Sequence, residues 1–153
     1  MAATPKNWSL CDEPWQALRE LLVTEELTWS KAPFHKAAVN SVPQAPGAYL
    51  VCAAALAPFN SLTPQPTNII YVGQASTSIR ERFNYHLSSS AKTKMKKARS
   101  VFGNNLVFCW TQSDRFKEIE LLIYDAFGPP VNDTSPPKIT AILGTPRSIK
   151  LPT

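Results

Sequence analysis

Apolar and polar positions along the 153-residue chain alternate in some stretches and recur every three to four residues in others. Trp15, Leu18, Leu21 and Leu22 stand at helical spacing behind Asp12-Glu13-Pro14, which suits a first turn. This predicts a helix over about residues 13–26, with residues 1–10 as a loose arm. Residues 29–44 contain Pro33, His35 and Pro43 and read as a meandering connection, with His35 in a surface or packing role. Residues 47–55 follow a strand pattern, as do residues 68–73, which are rich in β-branched and aromatic side chains. Pro58, Pro64 and Pro66 make the connection between them stiff. Consecutive strands pair most simply as an antiparallel hairpin. Ser78 and Glu81 form a capping box for a helix running to about residue 88, with Ile79, Phe83 and Leu87 as its apolar row. Residues 106–111 predict a third strand. Ser113 and Asp114 open a last helix that Gly128-Pro129-Pro130 ends.

Two helices carry polar residues on or beside their apolar faces. In the last, Phe116, Ile119, Ile123 and Phe127 define the apolar row. Glu120 falls about 40° from Phe116 and about 20° from Phe127. It is therefore expected to point into the buried face, with Glu118 pointing the opposite way. A buried carboxylate requires an arginine, a hydrogen-bonding tyrosine or a metal ion, unless it snorkels at the core edge. In the middle helix, Arg82 and His86 are four residues apart and share one side. They flank the apolar row, where strand residues Tyr49 and Tyr71 can meet them. Each tyrosine alone also fits a core or interface position. Lys92, Lys94, Lys96, Lys97 and Arg99 crowd into eight residues and suggest a basic helix, or simply a solvated face.

Composition narrows the possibilities. Hydrophobic residues make up 44% and charged residues 18%, consistent with one folded domain. A net charge of +5 permits a nucleic-acid partner without demanding one. Cys11, Cys52 and Cys109 are too few and too scattered for a disulfide framework or a cysteine zinc site. No signal-peptide pattern or membrane-spanning run is visible, so a soluble, cytoplasmic protein is expected. There is no phosphate-binding glycine loop, Ser-His-Asp pattern or paired-carboxylate cluster.

The polar residues gain meaning as an ordered set. Gly47-Ala48-Tyr49 and Tyr71-Val72-Gly73 resemble the two signature triplets of the GIY-YIG nucleases. The stretch Ser78-Ile79-Arg80-Glu81-Arg82-Phe83-Asn84-Tyr85-His86-Leu87 resembles that family's helix, whose second arginine is catalytic. Residues 120–132, with Pro129 and Pro130 before Asn132, resemble its glutamate helix and closing Pro-x-x-Asn turn. His86 is similar to a histidine of the restriction and homing endonuclease branches. The resemblance spans residues 42–132. It implies an α+β fold with a small three-stranded antiparallel sheet flanked by helices. Residues 1–41 then form an arm and capping helix, and residues 133–153 a proline-rich tail. Ala48 and Val72 replace the family's isoleucines, the segment between the triplets is longer than in the simplest members, and no separate DNA-binding domain is evident.

The resemblance further implies metal-dependent hydrolysis of DNA phosphodiesters. Glu120 would bind Mg²⁺ (or Mn²⁺), and Arg82 would hold a non-bridging oxygen. Tyr49 would activate water, as phenolate or through His86. Tyr71 would orient water or phosphate, and Asn132 would brace the site by hydrogen bonds to the turn and to neighbouring catalytic groups. In that setting Lys92, Lys94, Lys96, Lys97 and Arg99 become candidate phosphate contacts. A homodimer or a partner supplying specificity fits the absence of a recognition domain. The alternatives are a nucleic-acid-binding or partner-dependent subunit on the same fold, and a nuclease for structured RNA or branched DNA.

Overall fold

The computed structural model describes residue 20, residues 27–53 and residues 69–133. The expected N-terminal helix (apart from the helical Glu20), the proline-rich connection between the triplets and the tail beyond Asp133 lie outside the described residues. Four strands form one antiparallel sheet: β1 (Ser30–Pro33), β2 (Gly47–Ala53), β3 (Ile69–Ala75) and β4 (Leu106–Gln112), in the order β1-β4-β2-β3. Among the described residues the helices that accompany them are α1 (Ile79–Leu87), α2 (Thr93–Phe102) and α3 (Phe116–Phe127).

The sheet thus has four strands rather than the expected three. The extra strand falls where a meandering connection was expected. Its four residues show no useful alternation and end in a proline. They become a strand because β4 offers a partner, from Ser30 opposite Trp110 to Pro33 opposite Val107. Pro33 is tolerated there because β1 is an edge strand. A short 3₁₀ turn (Lys36–Ser41) follows, and the His35 Nδ1 accepts a hydrogen bond from the Ala37 N–H at 3.1 Å. His35 is therefore a capping residue.

Alternation along the strands sorts side chains to two cores. Tyr49, Val51, Phe108 and Trp110 pack with Phe34, with Ile79 and Phe83 of α1, and with Met95 and Ala98 of α2. Ala48, Leu50, Cys52, Val72, Val107 and Cys109 pack against Ile119, Leu122, Ile123 and Ala126 of α3. Cys52 and Cys109 are both buried free thiols. The result is a sheet with helices on both faces.

The helix ends follow the local sequence. The Ser78 hydroxyl accepts from the Glu81 N–H at 3.2 Å, as the capping box requires. Gly128 closes α3 in the left-handed conformation, at φ 53°. The chain then turns at Pro129, whose carbonyl accepts from the Asn132 N–H at 3.4 Å.

That turn lays residues 131–132 along the outer edge of β3. The Val131 N–H donates to the Ile70 carbonyl at 2.8 Å. The Asn132 side chain then acts as a neighbouring strand would. Its Oδ1 accepts from the Val72 N–H at 3.0 Å, and its Nδ2 donates to the Val72 carbonyl at 2.9 Å. The amide satisfies two backbone groups of an otherwise open edge. Asn132→Ala is expected to cost about 1–3 kcal/mol of stability. Amide hydrogen exchange should locate the loss, with faster exchange at Val72 than at β4 amides.

Candidate active site

Register builds the centre of the site. Tyr49 on β2 lies directly opposite Gly73 on β3, and Val51 lies opposite Tyr71. The two tyrosines are therefore diagonal neighbours on one face. Their rings stack with centroids 6.1 Å apart. A side chain at position 73 would collide with the Tyr49 ring and hydroxyl, so only glycine leaves room there. Gly47 is equally constrained, because a Cβ would meet the Thr111 carbonyl and the Ile79 side chain. The glycines of the two triplets are thus explained by packing.

Helix α1 brings Arg82 and His86 over the same spot. The Tyr49 hydroxyl and His86 Nε2 are hydrogen-bonded at 2.8 Å. Arg82 Nε donates to the same hydroxyl oxygen at 3.3 Å. In the tautomer that carries its proton on Nδ1, His86 Nε2 accepts from the Tyr49 hydroxyl. The Arg82 guanidinium also lies over the Tyr85 ring, 4.7 Å from its centroid. Tyr85 went unremarked in the sequence, although its place three residues after Arg82 puts both on one side of the helix.

The site has two layers. Tyr49 is wholly enclosed and His86 is 3% exposed. Tyr71, Arg82 and Glu120 are only partly buried. Burial dictates the electrostatics. It raises the Tyr49 pKa well above the usual phenol value; Tyr71 adds to the rise and Arg82 opposes it. Burial also raises Tyr71, against the pull of Tyr49 and Arg82 and with a smaller push from Glu120. For Arg82, burial works against the charge, but the oxygens of Tyr49, Tyr71 and Tyr85 outweigh it and hold the pKa above normal. His86 is pulled down to about 3 by burial first and then by Arg82, Lys92 and Arg99. Its Nδ1 has no hydrogen-bond partner among the described residues. Near neutrality the inner pair is a neutral phenol and a neutral imidazole.

The expected orientation of the two glutamates is reversed in part. Leu122 and Ala126 join Ile119 and Ile123 in the buried face of α3. Including them turns the centre of that face away from Phe116 by roughly 50°. Glu120 is left on one flank, and Glu118 comes to the other. Glu118 is the buried carboxylate, at 5% exposure, and accepts from Arg115 Nε at 2.6 Å. Glu120 makes no hydrogen bond or ion pair with any described residue. Burial nevertheless pushes its pKa up to about 7, against the field of Arg82. A carboxylate of α3 and a guanidinium of α1 lie on opposite faces of the sheet. They feel each other where the sheet ends, at β3.

A half-buried carboxylate without a partner among the described residues could hold a cation. Among those residues no three His, Cys, Asp or Glu side chains gather. So small a set of protein donors suits Mg²⁺ or Mn²⁺, which retain several waters, better than a zinc centre.

Other expected site residues fall elsewhere. Asn132 braces the backbone on the outer side of β3 next to Tyr71, and its side chain hydrogen-bonds Val72 rather than Tyr49, Arg82, His86 or Glu120. The basic run does form a helix, α2, with Lys92 at its N-cap. Arg99, however, is taken up by the structure. Its Nη1 donates to the His86 and Ser88 carbonyls at 2.9 and 3.0 Å, clamping α2 to the end of α1. Lys96 Nζ donates to the Ser89 carbonyl at 3.2 Å. Lys92 and Lys94 face Asp133. Lys97 is exposed.

No protein-family profile matches the chain, and neither a curated protein nor a solved structure matches it. No helix among the described residues is long and apolar enough to cross a membrane.

The depressed His86 pKa has a consequence for stability. Between pH 6.5 and about 3 the unfolded chain binds a proton at this histidine that the folded chain does not. Folding stability at this group is therefore complete above pH 6.5 and falls as pH drops through that window. Glu120 acts with the opposite sign between pH 4.5 and about 7, because its folded pKa is raised. Comparing wild type with His86→Gln isolates the histidine. Urea midpoints from pH 7 to pH 4 should fall less steeply in the variant.

Proposed function

We propose that this protein is a divalent-metal-dependent endonuclease that hydrolyses DNA phosphodiesters at a GIY-YIG-type site. One observation carries this reading: the Tyr49 hydroxyl is the common partner of His86 Nε2 and Arg82 Nε, at 2.8 and 3.3 Å. A phenol placed between an imidazole and a guanidinium has a route for its proton and a cation beside its oxygen. The unpartnered Glu120 carboxylate, within the field of Arg82, supports the same reading.

Each residue then has a task. Arg82 gives Nε to Tyr49, and its terminal nitrogens, on the side of Tyr71, would take a non-bridging phosphate oxygen. Tyr71, in the outer layer, orients the attacking water. Tyr49 takes a proton from that water as it passes its own to His86 Nε2, so a free phenolate is never required. His86 is a weak base chiefly because it is buried, with Arg82, Lys92 and Arg99 lowering it further. A bound phosphodiester would offset the cationic part of that depression and so strengthen the imidazole as a base. Glu120 would hold a Mg²⁺ or Mn²⁺ ion, which when bound stabilises negative charge developing on the phosphate. Tyr85 steadies the Arg82 guanidinium by its stacked ring.

The partner-dependent alternative is favoured by one observation, the complete enclosure of Tyr49. Water must reach Tyr49 through the outer layer, so a partner or the substrate itself would have to part Tyr71 and Arg82.

Plasmid nicking by the purified protein tests the proposal. Cleavage is expected with Mg²⁺ or Mn²⁺ and not with EDTA. Tyr49→Phe, Arg82→Ala and Glu120→Ala should each lower the rate by at least about a hundredfold, with circular dichroism confirming that they fold. Absence of metal-dependent cleavage, or retention of activity by Glu120→Ala and Tyr49→Phe, would overturn it.

A further inference from the structure

Asp133 immediately follows the residue that braces β3, and its carboxylate bridges two lysines at the start of α2. Oδ2 lies 3.9 Å from Lys92 Nζ, and Oδ1 lies 3.6 Å from Lys94 Nζ. Both distances exceed those of a direct charge-assisted hydrogen bond. The contact is loose and open: the lysine side chains are 66% and 54% exposed, and that of Asp133 is 35% exposed. One acid divided between two cations, each through a different oxygen, has the form of a phosphate's two non-bridging oxygens on the same pair. The location also matters. Asn132 ties this segment to Val72, next to Tyr71, and the Lys92 charge is felt at His86. The lysines thus stand beside the Tyr49 centre, while Arg82 is already assigned to the scissile phosphate. Arg99 and Lys96 are held by main-chain carbonyls, so these two lysines are the cations of the run that only a side chain holds.

We propose that Lys92 and Lys94 form a subsite for a backbone phosphate flanking the scissile one, and that Asp133 is the internal counter-ion which this phosphate displaces. The inference rests on the nuclease reading and specifies how its substrate strand is held. In the free protein Asp133 keeps the two ammonium groups together on one carboxylate. On binding, the strand's phosphate takes their charge and the aspartate swings into solvent. Asp133 thereby sets a threshold against weak, non-specific anions.

Fluorescence polarisation with a short fluorescein-labelled DNA duplex, in EDTA over a NaCl series, tests this without cleavage. Asp133→Asn is expected to tighten binding by about three- to tenfold. Lys92→Ala/Lys94→Ala should weaken binding and reduce the slope of log K against log salt by about 0.9, the value for one phosphate. Adding Asp133→Asn to the double lysine variant should then change nothing. The proposal is overturned if Asp133→Asn binds as wild type does, if it tightens binding equally without the lysines, or if the salt slope is unchanged by their loss. Any of these, with Mg²⁺-dependent nicking intact, leaves the nuclease reading standing. Failure of wild type to bind in EDTA overturns the subsite, and overturns the nuclease reading as well only when Mg²⁺-dependent nicking is also absent.

Discussion

Enclosing the Tyr49 hydroxyl is the constraint from which most of the site follows. The ring stacks on Phe108 at 5.1 Å and on Tyr71 at 6.1 Å, and it lies over Gly73 with no exposed surface. Burying such a ring stabilises the fold by on the order of 2 kcal/mol. Leaving its hydroxyl unpaired would return about 1–3 kcal/mol of that. A hydrogen-bonding partner therefore has to come into the core. His86 does so from α1, which must then lie close against β2 and β3. His86 in turn is buried and loses its charge. Arg82, one turn earlier on α1, lands beside the same oxygen. Gly73 is needed because the ring lies across β3 at that point. One hydroxyl thereby fixes a glycine, a helix position and the protonation state of a histidine.

A second constraint is topological. The order β1-β4-β2-β3 leaves β3 as an edge. Helices α1 and α3 cover opposite faces, and a side chain of one can reach a side chain of the other only where the sheet stops. Tyr71 stands on that strand, Arg82 and Glu120 feel each other past it, and Asn132 closes its open side. The same edge that would otherwise invite strand pairing is used to gather polar groups from three elements. The bulge between Val51 and Cys52 helps, since Ile70 and Tyr71 then both belong to the face that carries Tyr49.

Much of this was legible in the sequence, and the exceptions have physical reasons. Alternation marked β2, β3 and β4, the Ser78 cap marked α1, the run of lysines marked α2, and Gly128 marked the end of α3. These are signals that short stretches carry by themselves. Strand β1 carries no such signal, because Ser30-Lys31-Ala32-Pro33 becomes extended only when β4 pairs with it. The orientation of Glu118 and Glu120 was misjudged because α3 is apolar around most of its circumference. A row drawn through Phe116 and Phe127 alone misses Leu122 and Ala126, and no periodicity foretells that Arg115 folds back onto Glu118. The ordered residues Tyr49, Tyr71, Arg82 and His86 were readable as a set. That Tyr49 and His86 are bonded, and lie beneath Tyr71 and Arg82, depends on residues 37 positions apart and could come only from the fold. Arg99 illustrates the converse: a cation in a basic run looks available until main-chain carbonyls are seen to use it.

The layering bears on how such a site could work at all. An exposed tyrosine would have an ordinary pKa near 10 and no preference for its histidine. The enclosed one is harder to ionise still, and the enclosed histidine is harder to protonate. Taken separately, both shifts oppose base catalysis. On the nuclease reading burial sets most of both shifts, and the smaller part of the His86 depression, which comes from cations, is the part that a phosphodiester would offset. An anion on Arg82 offsets a cation that depresses His86 but also weakens the Arg82 field that favours ionisation of Tyr49, so the gain reaches His86 only where Tyr49 takes up the water's proton as it gives its own. A base whose strength depends on the substrate's own charge remains inert toward water until a strand is bound. That arrangement also accounts for the contrast between the two acids of α3. Glu118 is satisfied by Arg115 and contributes only to the fold, whereas Glu120, without a partner, keeps its oxygens available at the sheet edge where a phosphate would arrive.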